Sequence, residues 1–174
     1  MGRYVITIAK EYLKFSAAHF TIFDDMSVEL LHGHNYYVTL QVFCRDTDNG
    51  IIIEFKELKK IARAVCDQLD EKILLPADSP YLKIAKDGDA FDVTFQGGGF
   101  SKQYRFPCED IELLPVSNIT SELLAKYLNG EIIKKLESLW KDLYPGKEIF
   151  NSVNSVGVTV EETRGQSVTY VWDF

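Results

Sequence analysis

Apolar and polar residues alternate along this chain with two different periods, and the places where the period changes mark out its elements. From Tyr4 to Lys14 the alternation is loose, with Ile6 and Ile8 set between Val5, Thr7 and Ala9. That pattern predicts a strand buried on both faces over part of its length. It is expected to run on through Phe15-Ser-Ala-Ala-His19, where the small pair Ala17–Ala18 lets another backbone or a ligand come close. Phe20 to Leu31, carrying Asp24, Asp25 and Ser27, predicts a loop that returns the chain. Asn35 to Cys44 then alternates cleanly, with Val38, Leu40 and Val42 on one face and Thr39, Gln41 and Phe43 on the other. These runs predict a first hairpin, closed off by a turn cluster at Asp46–Gly50.

From Glu54 the period lengthens to that of a helix. Phe55, Leu58, Ile61, Ala62, Val65 and Leu69 make one apolar stripe that ends near Asp70–Lys72. Ala90–Phe95 and Ser101–Phe106 alternate again, separated by Gln96-Gly-Gly-Gly99, and predict a peripheral hairpin. A second helix is expected to open at Thr120 as N-cap, with Glu122 at the positive end of its dipole. Its stripe is Leu124, Leu128, Ile132, Leu136, Leu139 and Leu143; Gly130 weakens it locally and Pro145–Gly146 stops it. Val156, Val158 and Val160 lead into Glu161-Glu162-Thr163, and a short turn at Arg164–Gln166 precedes Val168–Trp172 as a second hairpin. The order is ββ-αα-ββ, an α+β fold with an antiparallel sheet and both helices on one face.

Composition narrows the class. With 174 residues, 46% hydrophobic and 26% charged, residues 1–174 are expected to form one globular domain with a full core. The absence of a long apolar run and of a signal-like N-terminus argues against a membrane partner. Three scattered cysteines, Cys44, Cys66 and Cys108, are too few for a disulfide framework, so a reducing, cytoplasmic setting is expected. A net charge of −7 argues against nucleic acid as a partner.

All three histidines, His19, His32 and His34, fall between Phe15 and Val42. His32 and His34 are two apart, which on a strand puts both rings on one face. A hairpin brings His19 alongside. Three neutral imidazoles with a fourth position open form the ligand set of a catalytic zinc site, so Zn2+ is the expected cofactor.

Phe15-Ser-Ala-Ala-His19 followed by Leu31-His-Gly-His-Asn-Tyr-Tyr-Val38 resembles the 6-pyruvoyl-tetrahydropterin synthase family, which includes 6-carboxytetrahydropterin synthases and folate-pathway variants. The resemblance implies zinc on His19, His32 and His34, a tunnelling fold, and a homo-oligomer, usually a hexamer of two stacked trimers. Exposed strand edges give an independent reason to expect assembly. Further matches are Gly50–Phe55 and Leu69–Leu74 at the ends of the first helix, and Thr120–Ala125 at the start of the second. Residues 76–118 exceed the family minimum and are expected to be a simple insertion at the edge, with a lid as the alternative. Val158–Thr163 matches the family's pterin anchor, so Glu162 is expected to accept paired N–H bonds from the pterin amino group and N3, with Thr163 beside it. Glu161 is expected to point to the other face.

The resemblance also breaks in two places. The catalytic Cys that family members carry four or six residues before H-G-H is absent; Val28 and Met26 stand there. After Asp70 the family's relay His is Glu71. Instead Glu29 precedes His32 by three, an E-x-x-H-G-H pattern that resembles the folate-pathway subgroup, which cleaves the side chain of 7,8-dihydroneopterin triphosphate to 6-hydroxymethyl-7,8-dihydropterin. Glu29 is then the candidate base, with Val28, Leu30 and Leu31 expected to raise its pKa toward neutrality; Asp70 and Glu71 complete the catalytic candidates. Two alternatives stay open: a 6-pyruvoyl- or 6-carboxy-tetrahydropterin synthase, and a non-catalytic pterin or purine binder.

Overall fold

The computed structural model describes residues 3–45 and 51–174. The turn expected at Asp46–Gly50, and with it Gly50 of the first-helix entry, lies outside the described residues. In chain order the elements are β1 (Arg3–Ile8), β2 (Lys14–His19), β3 (His32–Arg45), α1 (Phe55–Leu69), β4 (Lys72–Pro76), β5 (Leu82–Asp87) and β6 (Ala90–Gly97). There follow β7 (Phe100–Pro107), β8 (Ile111–Leu114), α2 (Ser121–Leu143), β9 (Val153–Thr163) and β10 (Gln166–Asp173).

The 14-residue β3 is the spine of the main sheet, whose order is β10-β9-β3-β2-β4-β8 with β1 also paired to β3. β9 runs antiparallel along one side of the spine; β1 and β2 share the other, with Ile8 opposite Leu40 and Lys14 opposite Tyr37. The single strand expected from Tyr4 through His19 is therefore two. The break comes where Leu13 turns back, its N–H donating to the Lys10 carbonyl at 2.8 Å, so that its side chain is fully buried. Local alternation could not show that the core needs Leu13 more than it needs an unbroken ladder.

The sheet is α+β in class, but two of its pairings, β2–β4 and β4–β8, are parallel. Parallel neighbours need a long crossover. For β4 and β8 that crossover is the inserted segment itself, which returns the chain to the edge it left. β4 and β8 had no sequence signal strong enough to predict them.

Both helices bury their stripes on the sheet. α1 buries Leu58, Ile61, Ala62, Val65, Cys66 and Leu69. Phe55 departs from the expected stripe: it is 61% exposed and joins Tyr4 and Ile51 on an apolar surface. In α2 the inner position of the last turn belongs to Trp140, while Leu143 stays exposed. Thr120 caps α2 as expected, its hydroxyl accepting the Leu123 N–H at 3.4 Å. Such a cap contributes ~1 kcal/mol. Buried Asn129 donates to the Val156 carbonyl at 2.8 Å and ties α2 to β9. Emptying a position such as Leu58 or Leu128 in this core would cost roughly 2–5 kcal/mol.

The insertion is more than the edge hairpin expected. β5, β6 and β7 form a separate three-stranded antiparallel sheet. It has its own apolar cluster, in which Val93 and Phe95 of β6 meet Phe20 and Ile22 from the loop after β2. Gly98 and Gly99 turn β6 into β7 with φ of 51° and 86°, a left-handed backbone that suits glycine. No helix of the described residues is long and apolar enough to cross a membrane.

Candidate functional site

Register brings the histidines together. β2 and β3 pair so that His19 lies directly opposite His32, and His34 follows on the same face two residues later. The ring centroids stand 4.6 Å (His19–His32), 4.8 Å (His32–His34) and 5.4 Å (His19–His34) apart. One nitrogen from each ring lies within 4.8 Å of the others. Backbone carbonyls, which can only accept, fix two of the tautomers. Nδ1–H of His19 donates to Ile119 at 3.2 Å and that of His32 to Leu30 at 2.8 Å, which turns both Nε2 lone pairs inward. Burial, and then the neighbouring His32, lower the pKa of His19 and keep it neutral, as a metal ligand must be. Three such nitrogens fit a tetrahedral divalent cation of the zinc type, with one coordination place left for another group.

Tyr36 belongs to the same face. The period of two that aligns His32 with His34 puts Tyr36 next, a signal present in the sequence and passed over there. Its ring is fully buried against Phe15, centroids 4.9 Å apart. Its hydroxyl lies 2.8 Å from Nε2 of His19 and donates to Oε1 of Glu162 at 3.0 Å. Burial and then the Glu162 charge push the phenol's pKa far up, so it remains a donor. Glu162 Oε1 in turn stands 3.5 Å from His19 and 3.6 Å from His34. This carboxylate joins the histidines to a cavity of about 660 Å³ lined by Thr21, Asn118, Thr120, Ser121 and Gln166 among others.

Thr163 is not part of that wall. Successive strand residues face opposite ways, and its hydroxyl donates to Gln166 across the β9–β10 turn at 2.8 Å. Glu161 also faces away as expected, accepting the Gly165 N–H at 2.8 Å.

Glu29 is on the histidine side. The loop before β3 doubles back on itself: Glu29 N–H donates to the Thr21 carbonyl at 2.9 Å, and Thr21 N–H donates to Glu29 Oε2 at 3.0 Å. Burial pushes the carboxyl up, but the bonds from Thr21 and the nearby His32 and His19 outweigh it, and its pKa is lowered. The expected rise toward neutrality is thus reversed. The apolar neighbours turn into the insertion's core, where Val28 and Leu31 pack, while Leu30 is 77% exposed. Asn118, which no motif flagged, clasps the same loop: its amide accepts the Ile22 N–H at 3.1 Å and donates to the Ile22 carbonyl at 2.7 Å.

Asp70 and Glu71 lie elsewhere. Asp70 Oδ1 accepts the Ser16 N–H and the Glu71 N–H donates to the Ser16 carbonyl, both at 2.7 Å. Glu71, with φ of 60°, lines a shallow hollow with Ser16, Ala18 and Gly33. Those residues alternate with the histidines and face the opposite side of the sheet, so one chain does not gather these carboxylates at the metal site. Nor does it bring a thiol there. Cys44 is ten residues beyond His34 on the same strand, roughly 30 Å away. Burial pushes Cys44 up to about 11 and Cys66 up to about 12, so neither is a ready thiolate.

Residues 7–172 match the family described as 6-pyruvoyl tetrahydropterin synthase. A Methanocaldococcus jannaschii protein provisionally named 6-carboxy-5,6,7,8-tetrahydropterin synthase is 33% identical over 159 residues, covering 91% of this chain and 89% of its own. The crystal structure of Plasmodium vivax 6-pyruvoyl tetrahydropterin synthase superposes with a TM-score of 0.87 at 29% identity, over 100% of both chains. Two further structures of that Plasmodium protein, at 28% identity, a TM-score of 0.87 and the same full coverage, carry alanine or cysteine in place of a glutamate described as a catalytic residue.

Proposed function

The chain belongs to the 6-pyruvoyl tetrahydropterin synthase family, and on that premise we propose that it is a zinc enzyme that cleaves the side chain of 7,8-dihydroneopterin or its (tri)phosphate to 6-hydroxymethyl-7,8-dihydropterin. The observation that carries this reading is the ionised Glu29, anchored to the Thr21 N–H on the histidine side of the sheet, in a loop that has no Cys at either family position. A structural neighbour whose catalytic residue is a glutamate supports it.

His19, His32 and His34 would hold the metal, whose positive charge makes a side-chain hydroxyl of the substrate easier to deprotonate. Glu162 accepts paired N–H bonds from the pterin amino group and N3 and sets the ring in the cavity. Tyr36 donates to Glu162 and fixes the carboxylate's orientation. Glu29 takes the proton of the hydroxyl on the second side-chain carbon. The bond between the first and second carbons breaks, its electron pair moves into the conjugated ring, and the second carbon leaves as an aldehyde. Glu29 then returns the proton to the first carbon, which becomes the hydroxymethyl group. No electrons are gained or lost overall, so no redox partner is needed.

Assembly belongs to the same proposal. A homohexamer built through strand edges accounts for the exposed Val171 and Trp172 on β10 and Tyr4 and Val5 on β1. It would also let Asp70 and Glu71 of one copy approach the histidines of another. Light scattering that finds a monomer at micromolar concentration would refute that part. The M. jannaschii relative's name favours a second reading, formation of 6-carboxytetrahydropterin. One incubation with dihydroneopterin triphosphate, monophosphate and the free pterin, followed by chromatography, separates the two. The hydroxymethyl product supports the lyase; robust 6-carboxytetrahydropterin overturns it, and no product at all favours a pterin-binding protein.

A further inference from the structure

We infer that the inserted β5–β6–β7 sheet is the mount that sets the Glu29 carboxylate, and that Lys102 on β7 is a positioning residue for it. Three independent contacts lead there. Lys102 Nζ donates to the Glu29 carbonyl at 3.0 Å and to the Val28 carbonyl at 3.4 Å, pinning the peptide groups on both sides of Glu29 with one cation. The β6–β7 turn presses on the far end of the same loop. A Cβ at Gly97 would collide with the Asp25 carbonyl oxygen, and one at Gly98 would come within 2.6 Å of the Met26 sulfur. Backbone this close leaves the loop little room to shift.

The third contact is apolar. Val28 and Leu31, on either side of Glu29, pack into the cluster of Val93 and Phe95. Phe20, next to His19, stacks on Tyr104 of β7 with centroids 5.7 Å apart. Within the loop itself the two Thr21–Glu29 bonds, the Phe23 and Asp24 N–H bonds to the Ser27 carbonyl and the Asp24 side chain's bond to Met26 N–H oppose fraying, and Asn118 holds Ile22 from outside. Held by those alone, a nine-residue excursion would sample many positions; clamped at Asp25, Val28 and Glu29, it keeps one. A misplacement of about 1 Å is enough to cost ~10²-fold in rate, so holding the loop is a catalytic matter as well as a structural one.

The kinetic part of this inference rests on the lyase reading; the structural part does not. The test uses the full-length, zinc-loaded protein with Lys102→Met, which keeps the apolar stem, and Lys102→Arg, which keeps the charge. Amide hydrogen exchange read by mass spectrometry should rise at least about tenfold in residues 24–31 of Lys102→Met and stay unchanged in the helices. The turnover number should fall roughly tenfold with the Michaelis constant and zinc content unchanged, and Lys102→Arg should recover most of both. Gly97→Ala, which leaves Lys102 intact, should loosen the same peptide, and it serves as the second arm should Lys102→Met fold poorly. Unchanged exchange in residues 24–31 in both variants would overturn the inference, as would a uniform rise across the whole chain. A wild type without lyase activity would instead sink the reaction, while the exchange measurement still decides the mount.

Discussion

Glu29 and Asp70 do the same thing at the two ends of β2. Each offers one carboxylate oxygen to a backbone N–H, Glu29 to Thr21 at 3.0 Å and Asp70 to Ser16 at 2.7 Å. The outcomes differ because of where the rest of the group lies. Glu29 stands on the side of the histidines, and the bonds from Thr21 outweigh burial and hold it ionised. Asp70 closes the end of α1 against the strand edge, beside the hollow on the other face of the sheet. A backbone-anchored carboxylate is therefore not a functional sign in itself. What matters is the face of the sheet on which its free oxygen is left.

The sharpest way to probe that contrast is to break the three-histidine group. His32→Ala should abolish stoichiometric zinc, measured on the purified protein, and with it all turnover; zinc that survives would place the site elsewhere. Next in size, Glu29→Ala should lower the turnover number by about 10²–10⁴-fold, the usual worth of a general base, with little change in the Michaelis constant. An unaltered turnover in that variant would erase the distinction between the two carboxylates.

A smaller effect concerns pH. The folded pKa of His19 is lowered below 6.5, by burial and by His32, so above pH 6.5 the fold and the neutral ring agree. As pH falls below that value the unfolded chain binds a proton that the folded one resists, and stability is lost. The melting temperature of the metal-free protein should accordingly drop between about pH 7.5 and about pH 5.5. Glu29 has the corresponding sign at lower pH: its contribution is present above 4.5 and lost as pH falls through its lowered folded pKa. A flat melting profile across the upper window would contradict the buried, neutral His19.

The smallest effect is expected at the other end of the strand. Asp70→Ala removes an exposed charge-assisted bond and should cost ~1 kcal/mol, which is about 2–4 °C in a chain of this size. Turnover should hold if Asp70 is only a clasp. A tenfold loss of turnover with the fold intact would instead show that Asp70 completes a site in a neighbouring copy.

Much of this could be read from the chain because its carriers are local. The spacing of His32 and His34, the stripe from Leu58 to Leu69, the Thr120 cap and the valines leading to Glu162 each depend on a few neighbouring residues and a fixed period. Thr163 was misplaced by adjacency: next to Glu162 in sequence, it is opposite in the strand. Tyr36 obeyed the same period as the histidines, yet its role appears only when β9 brings Glu162 to its hydroxyl.

Covalent spacing and side-chain chemistry alone settle the strand and helix periods, the shared face of His32 and His34, and the lack of a Cys close to them along the chain. Long-range packing sets the rest: β4 and β8 join the sheet in parallel, His19 meets His32 across β2–β3, the insertion packs on the Glu29 loop, and Asp70 and Glu71 bond Ser16 away from the histidines. Each of these depends on residues far apart in the chain. Their pairing is set by which apolar surfaces can be buried together and which backbone groups are left to bond, and no local pattern encodes that competition.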